Sequence, residues 1–278
     1  MTNQEKKQSE GPIRIDVGDV LKSRLGKRSA QVPRWLIHRL ERLICQDKLN
    51  EMLRVAYPRR GAEFCQAVIE HLGISVNVKG ASNLPVNPRA IFVCNHPLGG
   101  LDGMALIHFI ASHYGCQPRF VVNDLLMAVE PLREVFLPIN KHGAQSRGSL
   151  AAIDEAMATD APVLIFPAGL CSRRRDGQVA DLEWRKMFVQ KAREFGRDIV
   201  PLRFCGENSA TFYRTAQWRE RLGIKFNIEM ALLPSEIFKA EGKTFTISVG
   251  TPVACRDLST DSRAETARIR RTVDSLSC

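Results

Sequence analysis

The segment Asn95-His96-Pro97-Leu98-Gly99-Gly100-Leu101-Asp102-Gly103 sets a histidine and an aspartate on either side of a Gly-Gly turn. If the turn folds back, the carboxylate meets one imidazole nitrogen, fixes the tautomer and stabilises the imidazolium. The other nitrogen is then left to take a proton from a hydroxyl. The same residues admit a plainer reading, in which Asp102 caps the helix that follows and His96 is a satisfied loop residue. A second segment, Pro167-Ala168-Gly169-Leu170-Cys171-Ser172-Arg173-Arg174-Arg175, joins a turn that can bring backbone amides to a ligand with a hydroxyl and three guanidiniums. Arginines there suit phosphate or carboxylate through paired hydrogen bonds. A solvated basic loop is the alternative, and it fits Arg174 and Arg175 better than Arg173. Cys171 has basic neighbours that favour a thiolate, yet no histidine is linked to it in sequence, so a structural thiol is preferred over a nucleophile. The chain carries no GxSxG, HExxH, P-loop or GxGxxG, and His38, His71, His108, His113 and His142 read as ordinary helix, loop or surface residues.

Each of the two segments needs a buried strand before it, and each has one: AIFVC over 90–94 and PVLIF over 162–166. Further strand-like runs lie at 74–78, 119–122, 135–139, 199–204, 225–231 and 244–249. Helical periodicity separates them near 102–114, 124–133, 146–159 and 182–195 and closes the chain from about 261 to 276. The alternation predicts an α/β fold, a largely parallel or mixed sheet flanked by helices, whose site lies beyond the carboxyl ends of strands. Upstream, Leu36, Leu40, Leu43 and Ile44 form one helical stripe, and Cys45, Leu49, Met52, Leu53 and Ala56 form another, rotated from it. A core helical hairpin is the preferred reading, over a membrane-surface helix carrying Trp35, Arg39 and Arg42. The expected organisation is a poorly ordered basic arm over 1–30, an N-terminal helical segment over 31–73 and an α/β domain over 74–278.

The order Asn-His…Asp, then Phe-Pro-x-Gly-x-x-Ser-Arg, then Ile-Val-Pro resembles the phospholipid/glycerol acyltransferase family that includes lysophosphatidate acyltransferase. Asn95, His96 and Asp102 match its first block with one extra residue, which Gly99-Gly100 can absorb. The run from Phe166 to Arg173 is similar to its FPEGTRS block, and Val200-Pro201 is similar to its last. A loose match to the remaining block runs from Phe136 to Lys141. The resemblance covers about residues 75–205. It implies catalysis by His96 with Asp102, and substrate contacts from Asn95, Lys141, Gly169, Ser172 and Arg173, with Lys141 and Arg173 on the acceptor's anionic group. Turn amides near Pro167–Gly169 are the expected oxyanion donors. It also implies an acyl-carrier-protein or coenzyme A thioester as co-substrate, with no other cofactor and no metal. Ala168 stands where the family has a glutamate associated with acceptor binding. Ornithine- and glycine-lipid O-acyltransferases of the same family acylate the hydroxyl of a 3-hydroxyacyl amino acid, which makes that acceptor an alternative to lysophosphatidate.

The chain has 278 residues, with a formal net charge of +10 and 44% hydrophobic residues, a composition that excludes collagen, wholesale disorder and a disulfide scaffold. No apolar run approaches the roughly 20 residues a spanning helix needs. The polar first residues suggest no secretory signal, so a cytoplasmic enzyme peripheral on the inner face of the membrane is expected, held to anionic lipid by the basic arm and the Trp35 helix. No nucleic-acid motif is found. The eight cysteines, none in a CxxC pair, are expected to be reduced and mostly buried. Two rivals remain: a thioester or lysolipid hydrolase, and a non-catalytic basic protein that binds membrane or nucleic acid.

Overall fold

The computed structural model describes residues 11–26, 32–139, 147–175 and 177–278. In chain order the helices are α1 (Val17–Leu25), α2 (Arg34–Leu43), α3 (Gln46–Ala56), α4 (Gly61–His71), α5 (Leu101–Tyr114), α6 (Arg147–Ala158), α7 (Met187–Phe195), α8 (Ala210–Arg221), α9 (Leu233–Lys239) and α10 (Ser262–Ser275). The strands are β1 (Ser75–Lys79), β2 (Ala90–Cys94), β3 (Arg119–Asn123), β4 (Phe136–Ile139), β5 (Val163–Ile165), β6 (Arg173–Arg175), β7 (Gln178–Ala180), β8 (Asp198–Cys205) and β9 (Thr244–Val249).

Seven strands form one sheet in the order β1-β9-β8-β2-β5-β3-β4, and β6 and β7 form a separate antiparallel hairpin. Every neighbouring pair in the large sheet is parallel except β8 with β9, so the expected mixed, mostly parallel sheet is what the chain builds. The central strand β2 is buried at every residue because helices cover both faces, which is why AIFVC is uniformly apolar. Edge strand β1 is mostly exposed, and SVNVK alternates. Along β2 and β5, Phe92 and Leu164 point into one apolar layer with Ala67 and Val68 of α4 and Leu106 and Ile110 of α5. Ile91, Val93, Val163 and Ile165 point into the other, against Ile153 of α6, Phe188 of α7 and Ile269 of α10.

The helices of 31–73 are part of this body, because Leu49, Met52, Phe64 and Leu72 share one apolar cluster with Phe92 and Ile247 of the sheet. α3 and α4 are therefore core helices, while α2 has no fully buried residue and leaves Trp35 exposed. Within the stretch read as a poorly ordered arm, residues 17–25 are helical. Asp16 caps the Asp19 amide, the Val17 amide donates to Gln46 Oε1, and the Asn50 side chain bonds both the amide and the carbonyl of Ile15.

Four further expectations are corrected. The run 225–231 is not a strand: Ile224, Phe226 and Ile228 alternate in sequence but face solvent, and residues 228–232 form a 3₁₀ turn. Residues 124–133 form two 3₁₀ turns in place of one helix, and the helix expected from 182 begins only at Met187. The cysteines are not all reduced, since Cys205 and Cys278 are joined across 73 positions of sequence. The chain end is brought there by Lys79, whose ammonium donates to the Cys278 carbonyl, and by Arg203, which donates to the Leu276 carbonyl. Of the remaining cysteines, Cys65, Cys94 and Cys171 are buried, and Cys45, Cys116 and Cys255 are half-buried.

Candidate active site

The register Val93↔Ile165 makes β2 and β5 neighbours ending at the same edge, so the two segments singled out in the sequence leave the sheet side by side. The His96 ring stacks on Phe166 with centroids 3.9 Å apart, and the Ser172 amide donates to the His96 carbonyl at 2.7 Å. On the other side of β2, Asn95 accepts from the Phe204 amide and donates to the Phe204 carbonyl, at 2.7 and 2.9 Å, which ties the loop to β8.

The Gly-Gly turn folds back. Gly99 has φ +83°, a left-handed conformation that favours glycine, and the polypeptide enters α5 at Leu101. Asp102, in the first helical turn, is fully buried. Its Oδ2 accepts from His96 Nδ1 at 3.0 Å and from the Leu98 and Gly99 amides at 2.8 and 3.3 Å, while Oδ1 accepts from the Gly103 amide at 2.9 Å. The helix N-terminus adds favourable dipole potential for this carboxylate. The one-residue excess in the motif is thus absorbed by the turn. Asp102 is the second residue of α5, whose N-cap is Gly100, so it does not cap the helix, and its carboxylate instead holds the His96 ring and the amides of the turn. With Nδ1–H donated to Asp102, the proton-accepting position of the imidazole is Nε2, and the His96 side chain is 13% exposed.

The second segment is placed differently from expectation. Ser172 Oγ donates to Asp181 Oδ1 at 2.6 Å. Gly169, at φ +65°, donates its amide to the Phe166 carbonyl and Pro167 has no N–H, so of the three turn residues Ala168 is left to offer an amide. The Arg173 side chain is 4% exposed, its Nη2 donates to Glu229 Oε1 at 2.6 Å, and its Nη1 donates to the Cys171 carbonyl at 2.6 Å. Buried guanidinium charge requires such a partner, and the partner lies 56 positions downstream, in a stretch that carries no motif. Cys171 is buried, and burial pushes its thiol pKa up despite the Arg173 contact, which does not suit a nucleophile. Arg174, half-buried, pairs with Glu207 at 2.7 Å, and Arg175 is exposed. Lys141 and His142 lie outside the described residues.

Sequence reasoning missed Asp181. It accepts from the His96 amide at 3.1 Å, from Ser172 Oγ, and from Trp184 Nε1 at 2.9 Å, and so fastens both segments together. It also missed Asn208, whose Nδ2 donates to the Pro97 carbonyl at 3.1 Å. The available signal was the Asp-x-x-Trp spacing just after β7, which carries no general meaning without the fold. Among the described residues, no group of three or more His, Cys, Asp or Glu side chains gathers as a metal site, and no helix is long and apolar enough to cross a membrane.

The sequence is 44% identical over 239 residues to a lyso-glycine lipid O-acyltransferase of Phocaeicola vulgatus, a match spanning 86% of each chain. It is 41% identical over 239 residues to a lyso-glycine lipid O-acyltransferase of Bacteroides thetaiotaomicron, covering 86% of this chain and 88% of that one. Among solved structures, a 1-acyl-sn-glycerophosphate acyltransferase, PlsC, from Thermotoga maritima aligns with a TM-score of 0.44 and 16% identity, over 86% of this chain and 91% of that one. An acyltransferase family model matches residues 19–274, a span that holds the His96 turn, the segment around Arg173 and every strand of the sheet, and the chain belongs to that acyltransferase family.

Proposed function

We propose that the enzyme transfers a fatty acyl group from an acyl-carrier-protein or coenzyme A thioester to the hydroxyl of a lyso-amino-acid lipid, an N-(3-hydroxyacyl) amino acid of the glycine-lipid type. The observation that carries the reading is the 3.0 Å pair of His96 Nδ1 with the buried Asp102 at the end of β2. His96 Nε2 accepts the acceptor's hydroxyl proton as the oxygen attacks the thioester carbonyl. When the tetrahedral intermediate collapses, the C–S bond breaks and the imidazolium returns the proton to the leaving thiolate. The products are an ester and a free thiol, and the cycle uses neither metal nor further cofactor. No covalent acyl-enzyme forms, so the rate depends on holding two substrates beside one base.

The identities of 41–44% with lyso-glycine lipid O-acyltransferases support the amino-acid acceptor, as does Ala168, which offers no hydrogen bond to a glycerol hydroxyl. Losing one charge-assisted bond of ~1.5–3 kcal/mol lowers preference for a glycerol acceptor by roughly one to two powers of ten. Because its side chain is 4% exposed and bonded to Glu229, Arg173 enters the scheme as the anchor of its loop, not as the acceptor's counter-ion. The proposed setting is the inner face of the membrane, where the protein is peripheral.

Competition tests the acceptor. With one thioester donor and equal concentrations of N-(3-hydroxyacyl)glycine and lysophosphatidate, acylated glycine lipid is expected to predominate. Predominant phosphatidate would overturn the acceptor assignment, and release of free fatty acid with neither lipid acylated would mark a hydrolase.

A further inference from the structure

The stretch 218–228 leaves the body of the protein as an apolar tip. Earlier in α8, Phe212, Tyr213 and Ala216 are buried. Beyond them Trp218, Leu222, Ile224, Phe226 and Ile228 are 66%, 67%, 38%, 78% and 42% exposed. The tip is folded: the Leu222 amide donates to the Trp218 carbonyl and the Ile224 amide to the Arg219 carbonyl, both at 3.0 Å, and Arg219 Nη1 returns a bond to the Ile224 carbonyl at 3.2 Å. Exposed Arg214, Arg221 and Lys225 are interleaved with the apolar groups, and Glu220, the acid among them, is paired with Arg219 at 3.2 Å.

A contiguous exposed apolar patch of this kind marks an interaction surface. The cores of protein–protein interfaces are depleted of charge. Here cations alternate with projecting rings and aliphatic groups along a single stretch of chain. That arrangement suits a lipid surface, with the apolar side chains at the acyl boundary and the cations at headgroup phosphates. The overall charge of +10 has the complementary sign for an anionic bilayer.

We propose that residues 218–228 form a docking edge that inserts into the surface of an anionic bilayer, distinct from the Trp35 helix. The edge leads straight into the site. The next residue, Glu229, is buried between Arg173 at 2.6 Å and Arg219 at 2.9 Å, and farther on a methyl carbon of Leu233 closes over Gly99. The chain that follows the tip therefore runs on, at the start of α9, to pack against the turn after His96. The purpose of the edge, delivery of a lipid acceptor, rests on the proposed function, whereas its geometry does not.

The test uses vesicles of phosphatidylcholine with and without phosphatidylglycerol, and full-length protein carrying Trp218→Ser with Phe226→Ser, Arg221→Gln with Lys225→Gln, or Trp35→Ser. Wild-type protein is expected to cosediment with the anionic vesicles in a salt-sensitive way. The Trp218/Phe226 variant should lose about 10-fold or more of its partitioning, and the Arg221/Lys225 variant should lose its preference for anionic lipid. In a Trp35→Phe background, brominated acyl chains should quench Trp218, since Trp184 is buried. Acyl transfer by the Trp218/Phe226 variant should fall on vesicle-borne acceptor and stay unchanged on detergent-dispersed acceptor. Undiminished vesicle binding by that variant, or absence of binding by the wild type, overturns the proposal. Self-association of the wild type that the variant abolishes also overturns it, by assigning the tip to a second copy of the chain. Vesicle binding with the expected variant pattern but no acyl transfer by any form leaves the docking edge supported and refutes the proposed reaction.

Discussion

His96 donates through Nδ1 to a carboxylate with no exposure, so the base strength available to a substrate resides at Nε2 alone. His96→Ala should therefore remove at least ~10²-fold of kcat while the fold survives. Asp102→Asn should fare worse in both respects, because its amide NH₂ would face the donors that now converge on two carboxylate oxygens. Steady-state turnover of a thioester beside a thermal melt separates these outcomes. Asp181 holds the His96 amide and Ser172 together, and we expect it to act as a positioning residue. In Asp181→Ala, the His96 amide, Ser172 Oγ and Trp184 Nε1 lose their acceptor, at ~1–3 kcal/mol for each donor left buried and unmet. We expect a lower melting temperature and a fall in kcat with little change in KM, partly rescued in Asp181→Asn. A fall in stability with kcat unchanged would assign Asp181 a purely structural role.

The element that converts two separated motifs into a site is the turn between β2 and α5. A Cβ on Gly99 would stand 2.8 Å from Leu233 Cδ2 and 2.9 Å from Cδ1, at a backbone conformation of φ +83°. Gly99→Ala combines left-handed strain with a clash against α9, and should cost about 1–3 kcal/mol and misplace His96. Gly169, at φ +65°, meets open space, so Gly169→Ala should cost only the backbone preference, about 1 kcal/mol, and leave turnover nearly intact. Denaturant titrations and kcat for the two variants check the contrast. Adding Leu233→Ala to the Gly99 variant should restore part of the loss, because it removes the clash and not the strain.

At the scale of the whole molecule, the carboxyl terminus is fastened to the sheet. Cys278 is bonded to Cys205 at the end of β8, and the residues before it hydrogen-bond to Arg203 and Ser248. A cross-link over 73 positions of sequence restricts the unfolded chain, and removing it is expected to cost ~2–4 kcal/mol. Thermal melts with and without reductant, and of Cys205→Ser, should show equal losses. If Cys205→Ser melts like the oxidised wild type, the link contributes nothing to stability. Such bonds are rare in reducing compartments, so thiol counting on freshly isolated protein also bears on where the enzyme works.

The α/β class, the mixed sheet and the strand at 90–94 were legible in the chain, because a strand buried on both faces has to be uniformly apolar and its neighbours have to alternate with helices. His96 and Asp102 were legible for a related reason: they lie within one turn, and local geometry brings them together whatever the rest of the chain does. The pairing of Arg173 was not legible. Its partner Glu229 comes from a run whose alternation of Ile, Phe and Ile imitates a strand, and periodicity cannot tell a face turned to a sheet from one turned to water. The same limit hid Asp181 and the Cys205–Cys278 bond, since each depends on which distant segments the sheet order makes neighbours. The composition of each element settled what it could bury. The packing of elements against one another decided which polar groups ended up paired, because only in the assembled core does an unmet charge or donor carry its full desolvation cost.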